Sequence, residues 1–370
     1  MEYFVSFGVQ AQPVVSILAI LLGGGCTPVR VFLPFVLLAV ALAVSASVPN
    51  DTYNDISAYI DQQTVSLPPP NGTRDDLVGI LGIPGECLTS DTPLLVSDDP
   101  VTNVGSIEIR RWVLATCQGE IPLHGLVGIP DGDGPHPLAL AIYGTAGSPA
   151  RLFGLDGVDD YHHAFALRLV EAGYLTFVPT ITTEPSGAAN INDLRNQLHK
   201  QLVSQGSTLA GVEVGQLISA LNFLEGEGNG DVLVWGISLG GFLAAHLAAI
   251  DESVDTVVVS QYFENRRQKL LGEIDYPLVY WQYENADYII IPGYAQLFDD
   301  VRLAALIAPR SVIIEVGADD PRSLYVEAIY PAIEALPGCS GLSVGYGGHE
   351  VFFGETLAAV RGCGQSKSPG

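Results

Sequence analysis

In "DVLVWGISLGGFLAAHLAAID", Asp231 to Asp251, four apolar residues lead into Gly236-Ile237-Ser238-Leu239-Gly240, and an alanine-rich run of helical period follows. A strand that turns at once into a helix needs glycine two residues to either side of the turn, because a Cβ there would hold the two elements apart. The serine between them sits on a strained backbone, a placement suited to a nucleophile. A serine hydroxyl barely ionises at neutral pH and needs a base. His349, in "SVGYGGHEVFFGE", follows the last apolar strand within a glycine-rich loop, where an imidazole can reach a serine on a central strand. The other six histidines are less suited: His162 and His163 are expected to begin a helix, His199 and His246 lie within helices, and His124 and His136 belong to early strands and a turn.

The base in turn needs a carboxylate to orient it. "VIIEVGADDPRS" offers Asp319 and Asp320 at the end of a buried strand, and either serves by position; Glu315 lies inside that strand. Acyl transfer also needs backbone N–H groups aimed at the oxygen that becomes negative. Leu239 supplies one at the start of the helix after Ser238. The second is expected from Gly144-Thr145-Ala146-Gly147, with Thr145 preferred to Ala146.

These residues need a scaffold that brings strand ends together. Short, fully apolar strands alternate with helical stretches from "PLALAIYGTAG" to "GLSVGYGG", which predicts a mostly parallel central sheet covered by helices on both faces. "SIEIRRWVLAT" and "EIPLHGLVGIP" read as antiparallel strands ahead of it. In such sheets ligands bind beyond the carboxyl ends of the strands. The segment between the strand "VDTVVVSQ" and "SVIIEVGA" holds an aromatic-rich insertion at about 262–300. Of its residues, Tyr280, Trp281 and Tyr294 are candidate substrate contacts, together with Tyr143 beside the oxyanion loop; a local aromatic core is the alternative.

Residues 77–370 read as one α/β domain and 47–76 as a polar, proline-containing linker. Residues 1–46 hold two apolar runs, the second ending in Val44-Ser45-Ala46, which suits a cleaved export signal or, uncut, a signal anchor. Removing them leaves Cys87, Cys117, Cys339 and Cys363, an even set that fits an oxidising compartment; locality favours Cys87–Cys117 and Cys339–Cys363, with free buried thiols as the alternative. The expectation is a secreted or extracytoplasmic protein, membrane-held only if the first segment stays. A net charge of −25, reached with only three lysines, opposes nucleic acid as a partner. No metal or organic cofactor is implied by these residues.

From roughly Gly79 to Cys363 the chain resembles the α/β-hydrolase superfamily, whose triad runs in the order Ser, Asp, His. "YGTAGSP", "HAFALRLVEAGYLTFVP", "GVEVGQLISALNFLE", "GISLGGFLAA", "LAALIAPRSVIIEVGADDP" and "GYGGHEVF" resemble the acetylxylan-esterase and dienelactone-hydrolase-like carboxylesterases. The resemblance implies an α/β-hydrolase fold and an ester substrate, of a small molecule or a carbohydrate, cleaved through an acyl-enzyme. It selects Asp320, which stands directly before proline in the family's G-x-x-D-P pattern. Two departures stand out: Tyr143 replaces a usual histidine, and the nucleophile is serine where typical dienelactone hydrolases carry cysteine. A serine peptidase of prolyl-oligopeptidase type and a non-catalytic binding protein are the competing readings.

Overall fold

The computed structural model describes residues 52–366 apart from 53, 90–93, 120, 133, 146, 183–190, 229, 266–286 and 322. The chain divides into two units, Met1–Gln62 and Gln63–Gly370. In the first, the described residues from 54 onward are helical and exposed. The second holds the sheet and the residues singled out above.

Among the described residues its strands are β1 (Leu95–Val104), β2 (Ile107–Leu114), β3 (Leu123–Ile129), β4 (Leu138–Ile142), β5 (Leu175–Pro179), β6 (Val232–Ile237), β7 (Thr256–Ser260), β8 (Ser311–Gly317) and β9 (Ser340–Gly345). They lie in the order β1-β2-β3-β5-β4-β6-β7-β8-β9. The first three run antiparallel to their neighbours, and all pairs from β5 to β9 are parallel. Strands β4 to β8 are buried along their whole length, as the unbroken apolar runs require when helices cover both faces. Strand β1 is the element the sequence pattern does not announce. It is an edge strand, almost wholly exposed, and carries Asp98, Asp99 and Pro100. Charge and proline on an outer strand block further pairing and also erase the alternation that marks a strand.

Helices α1 (Arg74–Leu81) and α2 (Gly85–Thr89) precede the sheet. Thr73 caps α1 through a reciprocal pair with Asp76, inside the stretch expected to be linker. Helices α3 (Pro149–Leu152), α4 (Phe165–Glu171), α5 (Ile191–Val203), α6 (Leu209–Glu227) and α7 (Leu239–Ile250) follow. Then come α8 (Tyr294–Leu297), α9 (Asp300–Ile307), α10 (Ser323–Glu334) and α11 (Phe353–Ser366). Helix α7 is buried at every residue, which explains its alanines: only small side chains let a helix lie this deep beside the sheet. Among the described residues no helix is long and apolar enough to cross a membrane.

Disulfides join Cys87 to Cys117 and Cys339 to Cys363, the two local pairings. The first ties α2 to the turn after β2, and the second ties the start of β9 to α11. Bridges spanning 30 and 24 residues restrict the unfolded chain by roughly 3 kcal/mol each in the chain-entropy account.

Candidate active site

Register across the sheet sets the level of the site. Ile142, Gly236, Val259, Ile314 and Leu342 lie in one row across β4, β6, β7, β8 and β9. Two residues past that row on three adjacent strands stand Gly144, Ser238 and Gln261, so these emerge side by side at the carboxyl edge. Ser238 has φ 56° and ψ −117°, in the left-handed range that side chains rarely adopt. A Cβ on Gly236 would lie 2.0 Å from the Gly240 carbonyl oxygen, and one on Gly240 would lie 2.1 Å from that of Ile142. Both glycines are therefore sterically required, as the spacing predicts. The Ser238 N–H donates to the Ser260 carbonyl at 2.9 Å, which fixes the turn against β7.

The loops after β8 and β9 bring the next two residues together. His349 Nδ1–H donates to Asp320 Oδ2 at 2.7 Å. The Asp320 side chain is 1 % exposed and that of His349 33 %, so the carboxylate is shut away while the imidazole keeps an open face. Since a carboxylate can only accept, Nδ1 carries the proton of this bond, and Nε2 is the nitrogen on the far side of the ring. Asp319 is exposed and contributes its backbone, donating to the Gly347 carbonyl at 2.8 Å. The structure thus separates two adjacent aspartates that position alone left equivalent.

Tyr161 joins His349 to the serine side. Its ring centre is 5.8 Å from that of His349, and its carbonyl accepts from Val351 N–H at 3.0 Å. Its hydroxyl is 2.5 Å from where a Cβ on Gly144 would stand, a point itself 3.2 Å from Ser238 Cβ. Tyr161 also lies against His162, with ring centres 3.9 Å apart.

His162 bears on the candidate site through the Gly144 loop, a role that sequence reading missed. Residues 161–164 form a turn rather than the expected start of a helix, with His163 at φ 49° and Ala164 at φ 46°. The fully buried His162 accepts the Gly144 N–H at Nε2, 3.1 Å away, and donates from Nδ1 to Asp160 Oδ1 at 2.9 Å. It is therefore neutral, with its tautomer fixed from both sides, and burial holds its pKa below the ordinary histidine value. Burial raises the Asp160 pKa, but the His162 N–H and Arg151 outweigh it and hold this carboxyl below its usual range. Next to it His163 bridges Asp159 and Glu350, at 3.1 and 2.7 Å. Partial burial works against its charge, yet the bonds to these two carboxylates keep its pKa above the ordinary value. A buried ring accepting from a backbone N–H leaves no trace in residue spacing, although the doublet "HH" close after a glycine loop could have prompted a search.

The Gly144 turn closes on itself, Gly147 N–H donating to the Gly144 carbonyl at 2.9 Å. With the Gly144 N–H engaged by His162, the next donor along this turn is Thr145. Its hydroxyl lies 3.5 Å from that of Tyr288, a residue of the short 3-10 turn Asp287–Ile289. Tyr288 in turn lies over the guanidinium of Arg195, 4.4 Å from its ring centre. Arg195 and Glu213 form a buried two-pronged ion pair at 2.7 and 2.8 Å.

Two of the candidate substrate contacts are buried. Tyr143 is fully buried beneath the loop: a Cβ on Gly147 would lie 2.5 Å from Tyr143 Cβ, and its hydroxyl donates to the Ile181 carbonyl at 3.4 Å. It supports the turn from below. Tyr294 is buried between His246 and Phe298, with ring centres at 5.6 and 5.4 Å, and so joins the core against α7 about two helical turns from Ser238. This packing matches the local-core alternative. Tyr280, Trp281 and Ala146 lie outside the described residues. Among the described residues no group of three or more His, Cys, Asp and Glu side chains is arranged to hold a metal ion.

Comparison with known proteins adds likenesses of sequence and fold. The model of the dienelactone hydrolase family matches residues 152–300, a stretch that includes Ser238 and ends before Asp320 and His349. A search of curated proteins gave no significant match. Among solved structures, an inferred acetyl xylan esterase from Bacteroides fragilis is similar with a TM-score of 0.60 at 18 % identity, over 78 % of this chain and 81 % of that one. The acetyl xylan esterase from Paenibacillus sp. R4 gives 0.55 at 17 % identity, over 82 % and 98 %. Acetyl xylan esterase 1 from Thermoanaerobacterium sp. JW/SL YS485 gives 0.54 at 17 % identity, over 83 % and 98 %. With its strand order, its serine turn between β6 and α7 and these likenesses, the chain has the α/β-hydrolase fold.

Proposed function

We propose that this protein is a serine hydrolase of carboxylic esters, with Ser238 as nucleophile, His349 as general base and Asp320 as the acid that orients it. The observation that carries the reading is the bond from His349 Nδ1 to the buried Asp320, made at the same sheet edge as the strained Ser238 turn. Ser238 Oγ attacks the ester carbonyl carbon while His349 Nε2 takes the hydroxyl proton. The carbonyl oxygen becomes an oxyanion and accepts from the N–H groups of Leu239 and Thr145 or Ala146. The tetrahedral adduct collapses, the alcohol leaves with the proton from His349, and Ser238 keeps the acyl group. Water then attacks the acyl-enzyme with His349 again as base, releasing the acid and restoring the serine.

The likeness to acetyl xylan esterases favours a short acyl group on a carbohydrate or small alcohol. The two disulfides favour an extracytoplasmic setting, with residues 1–46 as the export segment and 77–370 as the catalytic domain. A panel of esters, with acetylated xylan beside short aryl acetates and a peptide amide, tests the reaction class. Ester cleavage abolished by a fluorophosphonate is the expected result; amide cleavage without ester cleavage contradicts it.

A further inference from the structure

The dipeptide Ser260-Gln261 at the end of β7 touches each of the three loops that carry the proposed triad. The Ser260 carbonyl accepts from Ser238 N–H at 2.9 Å. Gln261 N–H donates to the Glu315 carbonyl at 2.8 Å. Its side-chain Oε1 accepts from Gly317 N–H at 3.2 Å, three residues before Asp320. Its Nε2 donates to the Glu350 carbonyl at 2.7 Å, one residue after His349. Gln261 is 1 % exposed and has φ 56°, in the range that favours glycine. Gly241 bears on the same place from the other side: a Cβ there would lie 2.9 Å from the Ser260 carbonyl oxygen.

A glutamine has no steric reason to occupy a left-handed position, where glycine is the default. Its side chain is the one part of the residue that a glycine would lack. That side chain spans β8 and the base loop with one acceptor and one donor, and no charged or shorter side chain supplies both at that reach. We propose that Gln261 is a positioning residue: it sets the acid loop and the base loop at a fixed distance from each other and, through Ser260, from the nucleophile turn. The inference rests on the serine-esterase reading of the site. Gln261 takes no proton and touches no reacting atom; it acts by holding His349 and Asp320 in the aligned geometry on which the rate depends.

Two variants test it in the full chain. Gln261→Gly relieves the backbone while removing both side-chain bonds. Gln261→Glu keeps an acceptor for Gly317 N–H and turns an oxygen toward the Glu350 carbonyl, so the base loop alone is released. Active sites are counted first by fluorophosphonate labelling, with Ser238→Ala as the unlabelled control. The rate on an aryl acetate is then expressed per labelled site. Gln261→Gly is expected to melt within a few degrees of the wild type, with kcat per site about 30-fold lower and KM within about twofold. Gln261→Glu is expected to lose about tenfold or more in kcat per site. If both variants keep kcat per labelled site within twofold of the wild type, whether or not they melt earlier, Gln261 is only structural and the proposal is overturned. Failure of the esterase reading looks different: wild type and Ser238→Ala would then hydrolyse the acetate equally.

Discussion

Asp320 and His349 hang from neighbouring parallel strands, β8 and β9, whereas Gly144 and Thr145 follow β4 on the other side of the nucleophile strand. The first pair is held from within the sheet, by a glutamine at the end of β7 and by backbone bonds between the two loops. The second is held from outside it, by a turn of residues 159–164 whose buried histidine grips the Gly144 N–H. Both halves are fixed by hydrogen bonds, but only the first uses groups that the sheet itself places. The proposed oxyanion half depends on a ring that must stay neutral, and so it is the half that acid should loosen first.

The largest effect expected from that contrast lies on the acid–base side. Asp320→Asn should lower kcat/KM on the order of 10⁴-fold, because an amide can present its N–H and favour the wrong imidazole tautomer. The neighbouring Asp319→Asn should stay within about twofold, since only its backbone joins the loop; steady-state kinetics on one ester compares the two. On the oxyanion side, His162→Leu should cost on the order of 10²-fold in kcat by releasing the Gly144 N–H and with it the turn. Acid should mimic that change. A histidine whose folded-state pKa is depressed contributes stability above its unfolded value of 6.5 and loses it as pH falls. The wild type should therefore lose stability to acid below that range in denaturant melts, and His162→Leu should lack this share of the loss.

Glu315 supplies the opposite pH sign on the acid–base side. Burial raises its pKa to about 7, against bonds from Ser260, Thr356 and Phe352 N–H. Its protonated form is favoured by the fold, so its contribution is complete below the unfolded value of 4.5 and is lost as pH rises toward about 7. Glu315→Gln should remove that decline, on the order of 3 kcal/mol between the two limits, read from denaturant midpoints across pH. Breaking the Cys87–Cys117 bridge by double serine replacement should instead lower stability by about 3 kcal/mol at every pH, read from the same midpoints.

The same contrast divides what the sequence could tell. The placement of the proposed acid–base half was legible because its parts sit at fixed offsets from apolar strands, and Gly236 and Gly240 carry a steric demand visible as spacing. Asp320 was separable from Asp319 only by resemblance to a family pattern; burial makes the distinction physically. The cysteine pairing followed from locality. What stayed hidden was the support. His162 works by accepting one backbone N–H, and Gln261 by bonding two loops distant in the chain, and neither leaves a local pattern. Tyr143 and Tyr294 misled for a related reason: an aromatic side chain near a site looks alike in sequence whether it faces substrate or the core. Edge strand β1 was missed because its charges remove the alternation that marks strands facing a core.

The proposed chemistry turns on Ser238 as the nucleophile that takes the acyl group. Rapid-quench mass spectrometry of the protein mixed with an activated acetate ester tests it most directly. An acetyl adduct is expected on the peptide containing Ser238 that forms before steady-state turnover, disappears as the ester is consumed, and is absent from Ser238→Ala along with more than about 10⁴-fold of the rate. Undiminished hydrolysis by Ser238→Ala would contradict it.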